Sequence, residues 1–280
     1  MKFRVLATAL GCAAGLMTNA AIAQDGLKVA LDGTFAPHAM PSLSGGIEGF
    51  NVDLANLVAE RLGTTIQIDA AQFAGLVPAL QAGTYDFLVA PVTVSEERSA
   101  NMLFTEGFMD TNYAFVQLAG SGAGTTIEDY RGKTLAVNKG SNYEAYLNEK
   151  AAELELTVMS YGTTSDAVEA VMTGRAFAAL AGHTSAAWAV KRNPRMMLGA
   201  EIATGLVWAF PFRKDDVENR NRIDAVIECL KSDGSLAALS EKWLGVTPAA
   251  GTTIVTPTPG YGTPGSDGYD DTPHEVSCSF

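Results

Sequence analysis

Thr93 and Arg98 are the residues whose types and spacing first suggest chemistry. They follow FLVAPV at residues 87–92, a continuous apolar run with the length and character of a strand buried on both faces of a parallel sheet. Before that run, Leu76, Val77, Ala79 and Leu80 give an apolar helical stripe that Gly83 ends. After it, Ser95 is an N-cap for a helix opening with Glu96, Glu97 and Arg98. Ligands of open α/β sheets bind in the crevice beyond the carboxyl ends of the strands. Pro91, Thr93 and Arg98 fall there, so a hydroxyl and a planar fork of donors meet where a carboxylate would sit. The plainer reading of Arg98 is a charge on a solvated helix start.

A second strand, turn and helix runs through residues 134–147. Lys139-Gly140-Ser141-Asn142-Tyr143 follows the strand and leaves free backbone N–H groups at a helix N-terminus, a seat for an anion or simply an ordinary cap. The glycine-lysine-Ser/Thr spacing of a Walker-type phosphate loop is absent. The histidines His38, His183 and His274 are scattered, and a lone loop histidine such as His38 is usually solvated. Cys229 and Cys278 lack the spacing of a metal site; in an oxidising compartment they pair and pin the C-terminal tail, or stay as two free thiols.

The elements that must position these groups alternate between strand and helix. Residues 1–23 read as a cleavable secretory signal: Lys2 and Arg4, an apolar run at residues 5–17, then Ala21-Ile22-Ala23. Leu10 stands one place too late before Cys12 for a lipid anchor. The chain carries a net charge of −12, and loss of two cations with the leader takes it to about −14, which argues against nucleic acid or anionic membranes as partners. Beyond the leader no apolar stretch is long enough to span a bilayer. Residues 27–32 alternate as a first strand, and the loop after it carries Asp32, Phe35, Pro37 and His38. Residues 50–62 form an amphipathic helix with Asn51 as its expected cap, and residues 66–68 a second strand. Residues 113–118 read as a strand leaving a first lobe, and the Gly/Ser/Ala cluster at 120–124 puts a hinge crossing near residues 117–119. From Pro248 the composition turns to Thr, Gly, Pro and Asp without periodicity, so residues 248–280 form an extended tail, flexible or laid across lobe one.

Three motifs, in order, carry a resemblance: GGIEGFNVDLANLVAERLG at residues 45–63, GLVPALQAGTYDFLVAPVTVSEER at 75–98, and GRAFAALAG at 174–182 with IECLKSDGSLAALSEKWLG at 227–245. The chain resembles the solute-binding family 3 proteins, the periplasmic amino-acid-binding components of ABC importers. The resemblance implies an α/β type II periplasmic binding fold of two lobes, each a mostly parallel sheet flanked by helices, joined by two hinge crossings. Lobe one would take residues 24–117 and 208–247, and lobe two residues 118–207. A small carboxylate-bearing ligand would bind between them, with Arg98 and Thr93 on its carboxylate and Ser141 and Asn142 completing the clamp from lobe two. Phe35 and Phe73 would cover its apolar body, with Asp32 near its side chain. The partner would be an inner-membrane ABC permease, and the protein a monomer without cofactor, metal or catalytic residue.

The sequence departs from the family at Gly182, where members with amino-acid ligands usually place an Asp that pairs with the ligand ammonium; His183 stands next to it. Phe177 replaces another usual Asp. An unpaired ammonium buried by closure is costly. Either Asp32, Glu106 or Asp110 supplies the charge, or the ligand lacks an ammonium and His183 donates to an extra anionic group. Two alternatives stay open: a sensory member that binds a protein partner, for which the tail speaks, and a cyclohexadienyl dehydratase-like enzyme, for which His183 is the best-placed acid or base.

Overall fold

Leu27–Leu31 lies between Ile66–Ala70 and Phe87–Leu88 in a three-stranded parallel sheet. The computed structural model describes residues 26–122 and 124–280, and the expected leader at residues 1–23 lies outside the described residues. Val29, Ala30 and Leu31 are fully buried, as a central strand covered on both faces requires. Helix Phe50–Arg61 begins at Gly49, not at Asn51. Gly49 has φ 149°, and a side chain there would strike the His38 carbonyl. Asn51 instead lies inside the first turn as a buried bridge: it donates to the Val89 carbonyl (2.7 Å) and accepts from His38 Nδ1 (2.9 Å). Residue type suggested a cap; the tight turn at Gly49 moves the helix start two residues back.

The run FLVAPV is not one strand. Phe87–Leu88 pairs with the parallel sheet, then Val92–Thr93 changes partner and pairs antiparallel with Trp208 and Ala209. Every residue of the run is buried, so its apolar pattern reports burial rather than a single ladder. This break puts Pro91 and Thr93 at the edge of the cleft.

The second lobe has a five-stranded sheet in the order Thr157–Tyr161, Thr134–Asn138, Ala178–Gly182, Tyr113–Leu118, Met196–Ile202. The first three strands are parallel and the last two run antiparallel to their neighbours. Helix Asn142–Leu154 connects Thr134–Asn138 to its parallel edge neighbour Thr157–Tyr161, as parallel strands demand. The strand Tyr113–Leu118 is paired on both sides within this sheet, and Gln117 faces Ala178 and Met197. The hinge expected at residues 117–119 is therefore inside a central strand. The crossings lie at residues 111–112 and 203–206, beyond the pairing of Met109–Asp110 with Val207–Ala209. Thr111 N–H donates to the Leu206 carbonyl (2.9 Å), tying the two crossings together. Gly120, the first glycine of the cluster that suggested a hinge, lies in the turn that follows strand Tyr113–Leu118.

Helices Val217–Ser232 and Ser235–Leu244 close lobe one. The tail forms no helix, in keeping with its prolines, yet it is packed. Cys229 and Cys278 form a disulfide with Cα atoms 5.3 Å apart. Between lie polar contacts to buried groups of lobe one. Lys231 and Glu106 pair at 2.9 Å with both side chains fully buried, and Thr258 gives Glu106 its N–H and its hydroxyl, each at 2.8 Å. Lys231 also donates to the Thr256 carbonyl (3.1 Å), and Arg220 to the Gly268 carbonyl (3.0 Å). His274 stacks on Tyr261 and bonds Glu228 at 2.8 Å.

Candidate functional site

A cavity lies where the strand ends of the two lobes face each other. Lobe one lines it with Asp32, Phe35, Phe73, Pro91, Thr93 and Arg98, all named from the sequence. Lobe two adds Ser141 and Asn142, also expected, and Asn138 and Tyr143, which were not. Asn138 ends its strand and could have been found from the rule that ligands sit at carboxyl ends. Nothing in the sequence sets Tyr143 apart from a helix residue facing its own core.

Arg98 reaches across the cleft. Its Nη1 donates to the Thr93 carbonyl (3.2 Å) and its Nη2 to the Gly140 carbonyl in lobe two (3.1 Å). The guanidinium lies over the Phe73 ring, 5.6 Å from the centroid, a cation–π contact that fixes its plane. Burial lowers the Arg98 pKa, against the pull of Tyr143 and Tyr113, and the group remains a cation. Five N–H donors leave it capacity for a carboxylate beyond the two carbonyls. On the other side, Ser141 caps helix Asn142–Leu154 by accepting from Glu144 N–H (3.2 Å) and donates its hydroxyl to the Asn138 carbonyl (2.6 Å). The positive end of that helix thus faces the guanidinium across the cavity, and both favour negative charge.

Asp32 is the only carboxylate among the lining residues. One oxygen accepts from Thr34 N–H (2.9 Å) and Thr34 hydroxyl (2.7 Å); the other accepts from Asn138 Nδ2 (3.2 Å). Asn138 Oδ1 is buried and has no hydrogen-bond partner.

Two of the expected residues lie elsewhere. Gly182 does not line the cavity, because a Cβ there would meet Trp208 at 2.7 Å and the Tyr143 hydroxyl at 2.8 Å. These two rings occupy the space an acidic side chain would need. Burial raises the Tyr143 pKa, so its hydroxyl stays neutral. His183 points away, towards Glu201 (3.4 Å), and lines a separate groove with Trp188, Trp243 and Asp110. Of the acids considered as stand-ins for the missing one, Glu106 is committed to Lys231 and the tail, and Asp110 bonds Thr253. His38 is buried rather than solvated. It gives Nδ1–H to Asn51, whose own amide is spent on Val89, and Nε2 accepts from the Thr184 hydroxyl of lobe two (2.7 Å). Burial lowers its pKa to about 4, so it is neutral in that bond.

The lobes touch at this His38–Thr184 bond, at Asp32–Asn138, and where Gly140 packs on Ala74, a Cβ on Gly140 lying 3.1 Å from the Ala74 Cα. The arrangement is a closed clamp with an anion-seeking interior.

Comparison with known proteins agrees with this geometry. The model for bacterial extracellular solute-binding proteins, family 3, matches residues 27–246. The L-cystine-binding protein TcyJ of Escherichia coli K12 is 27% identical over 221 residues, 78% of this chain and 82% of that protein. The probable amino-acid-binding protein YxeM of Bacillus subtilis 168 is 30% identical over 224 residues, 78% of this chain and 83% of its own length. Among solved structures, an ancestral arginine-binding protein bound to arginine matches with a TM-score of 0.76 at 29% identity, covering 80% of this chain and 100% of that one. With two α/β lobes of the type II arrangement closed over a shared cavity, the chain belongs to the bacterial extracellular solute-binding proteins, family 3.

Proposed function

We propose that this chain captures an amino acid or a closely related carboxylate between its lobes in the periplasm, and that the closed form delivers it to the inner-membrane permease of an ABC importer. The observation that carries this reading is Arg98, a half-buried guanidinium held between Thr93 of lobe one and Gly140 of lobe two. A ligand carboxylate on Arg98 would also meet Thr93, Ser141 and Asn142, so its contacts draw on both lobes at once. Such a ligand favours the closed state by its differential affinity for it. Phe35 and Phe73 offer apolar surface for the body of the solute. The histidine that would serve an enzyme best, His183, lies in the other groove, and the reading asks the site for no chemical step and the protein for no second copy.

A thermal-shift screen of the leaderless chain against the twenty L-amino acids tests this. A ligand at about a hundred times its dissociation constant adds roughly 2.7 kcal/mol, several degrees for a chain of this size. At least one amino acid is expected to raise the melting temperature, and Arg98→Ala to abolish that shift. An unchanged shift in Arg98→Ala, or a bound amino acid recovered chemically altered, would contradict the reading.

A further inference from the structure

We infer that Asn138, together with Asp32, accepts the ligand's ammonium group, so that the solute is a zwitterion and not a simple carboxylate. The inference rests on the reading that Arg98 holds the carboxylate. An ammonium enclosed by closure needs acceptors in place of water. Gly182, at the end of the neighbouring strand, cannot supply one: Trp208 and the Tyr143 hydroxyl stand within 2.9 Å of any Cβ placed there.

The acceptor lies on the strand beside it. Asn138 donates Nδ2 to Asp32, which fixes the orientation of the amide, since an Asn oxygen turned to a carboxylate would repel it. Oδ1 is therefore the atom left over. Asn138 is 4% exposed, its Oδ1 has no partner, and the side chain lines the cavity. A buried acceptor without a donor is a standing cost that a ligand donor removes. A hydroxyl could satisfy Oδ1, but the adjacent Asp32 carboxylate makes a cation the better occupant. Asp32 keeps Thr34 on one oxygen and retains lone-pair capacity on the other. Carboxylate at Arg98 and ammonium at Asn138–Asp32 then give the cleft two poles of opposite sign.

Isothermal titration tests this with the leaderless chain and matched probes: each L-amino acid that binds, its α-hydroxy analogue, and for a basic binder the analogue lacking the side-chain nitrogen. The wild type is expected to prefer the amino acid by about 100-fold or more over one of its ammonium-free analogues. Asn138→Leu, of similar size, is expected to cut that ratio about tenfold. Asp32→Asn keeps the shape and removes the charge, and should lower the same ratio, which covers the case in which Asn138→Leu does not fold. Equal binding of the probes by wild type, or a ratio unmoved in both variants, overturns the inference. Loss of binding in Arg98→Ala with an unmoved ratio in Asn138→Leu would overturn the ammonium site alone; retention of binding in Arg98→Ala would overturn the carboxylate reading and this inference with it.

Discussion

In the closed form Arg98 is fixed from three directions, by a carbonyl of each lobe and by the Phe73 ring beneath it; the Thr93 and Phe73 contacts, both within lobe one, hold its fork before a ligand arrives. Such preorganisation spares a ligand the cost of ordering a long side chain. Eight of the ten residues named from sequence line the cavity; all but Phe35 sit at or beside a strand end or helix start, where position along the chain fixes position in an α/β fold. Gly182 and His183 failed for a reason no local pattern carries: what fills the space beside Gly182 is Trp208, twenty-six residues on, and Tyr143, from another element. The same packing makes a prediction. Gly182→Asp would drive a carboxylate into two buried rings, and overpacking of this kind costs about 1–3 kcal/mol. Denaturant unfolding should show that loss with no gain in amino-acid affinity; a Gly182→Asp protein that is as stable as wild type and binds more tightly would mean that the rings move aside.

The tail is the element that sequence described least well. Its prolines and glycines rightly excluded a helix, but its order comes from partners at Glu106, Arg220, Asp224, Glu228 and Lys231, which only folding brings beneath it. Asp224 accepts from Gly262 N–H (3.1 Å), and burial, with Glu106 nearby, raises its pKa to about 8. The hinge was misplaced for a similar reason: a glycine-rich turn is visible in sequence, whereas the pairing of Tyr113–Leu118 to both neighbours is not. The tail therefore behaves as part of lobe one. The disulfide spans 49 residues, and removing a bond of that kind costs about 2–4 kcal/mol. Cys278→Ser should lower the melting temperature, and Glu106→Gln more so, because it leaves buried Lys231 without its counter-charge at a cost of about 3–5 kcal/mol. Melting curves matching wild type for both variants would show that the tail contributes nothing to the fold.

Across the whole molecule, closure joins lobes that share only two short crossings, and His38 is one of the few polar links between them. Its folded pKa of about 4 lies below the unfolded value of 6.5, so its contribution to stability is complete above pH 6.5. As pH falls from 6.5 towards 4 the unfolded chain takes up a proton that the folded site refuses, and up to about 3 kcal/mol is lost. His38→Gln should lack this part of the acid sensitivity, measured as the difference between the two unfolding free energies across that window; parallel curves would refute it. In the proposed function a solute carboxylate on Arg98 holds the lobes shut. Small-angle X-ray scattering of the leaderless chain, with and without the amino acid that gives the largest thermal shift, tests it most directly. A smaller radius of gyration is expected on ligand addition for wild type and no change for Arg98→Ala. An unchanged radius in wild type with ligand bound, or equal compaction in Arg98→Ala, would contradict it.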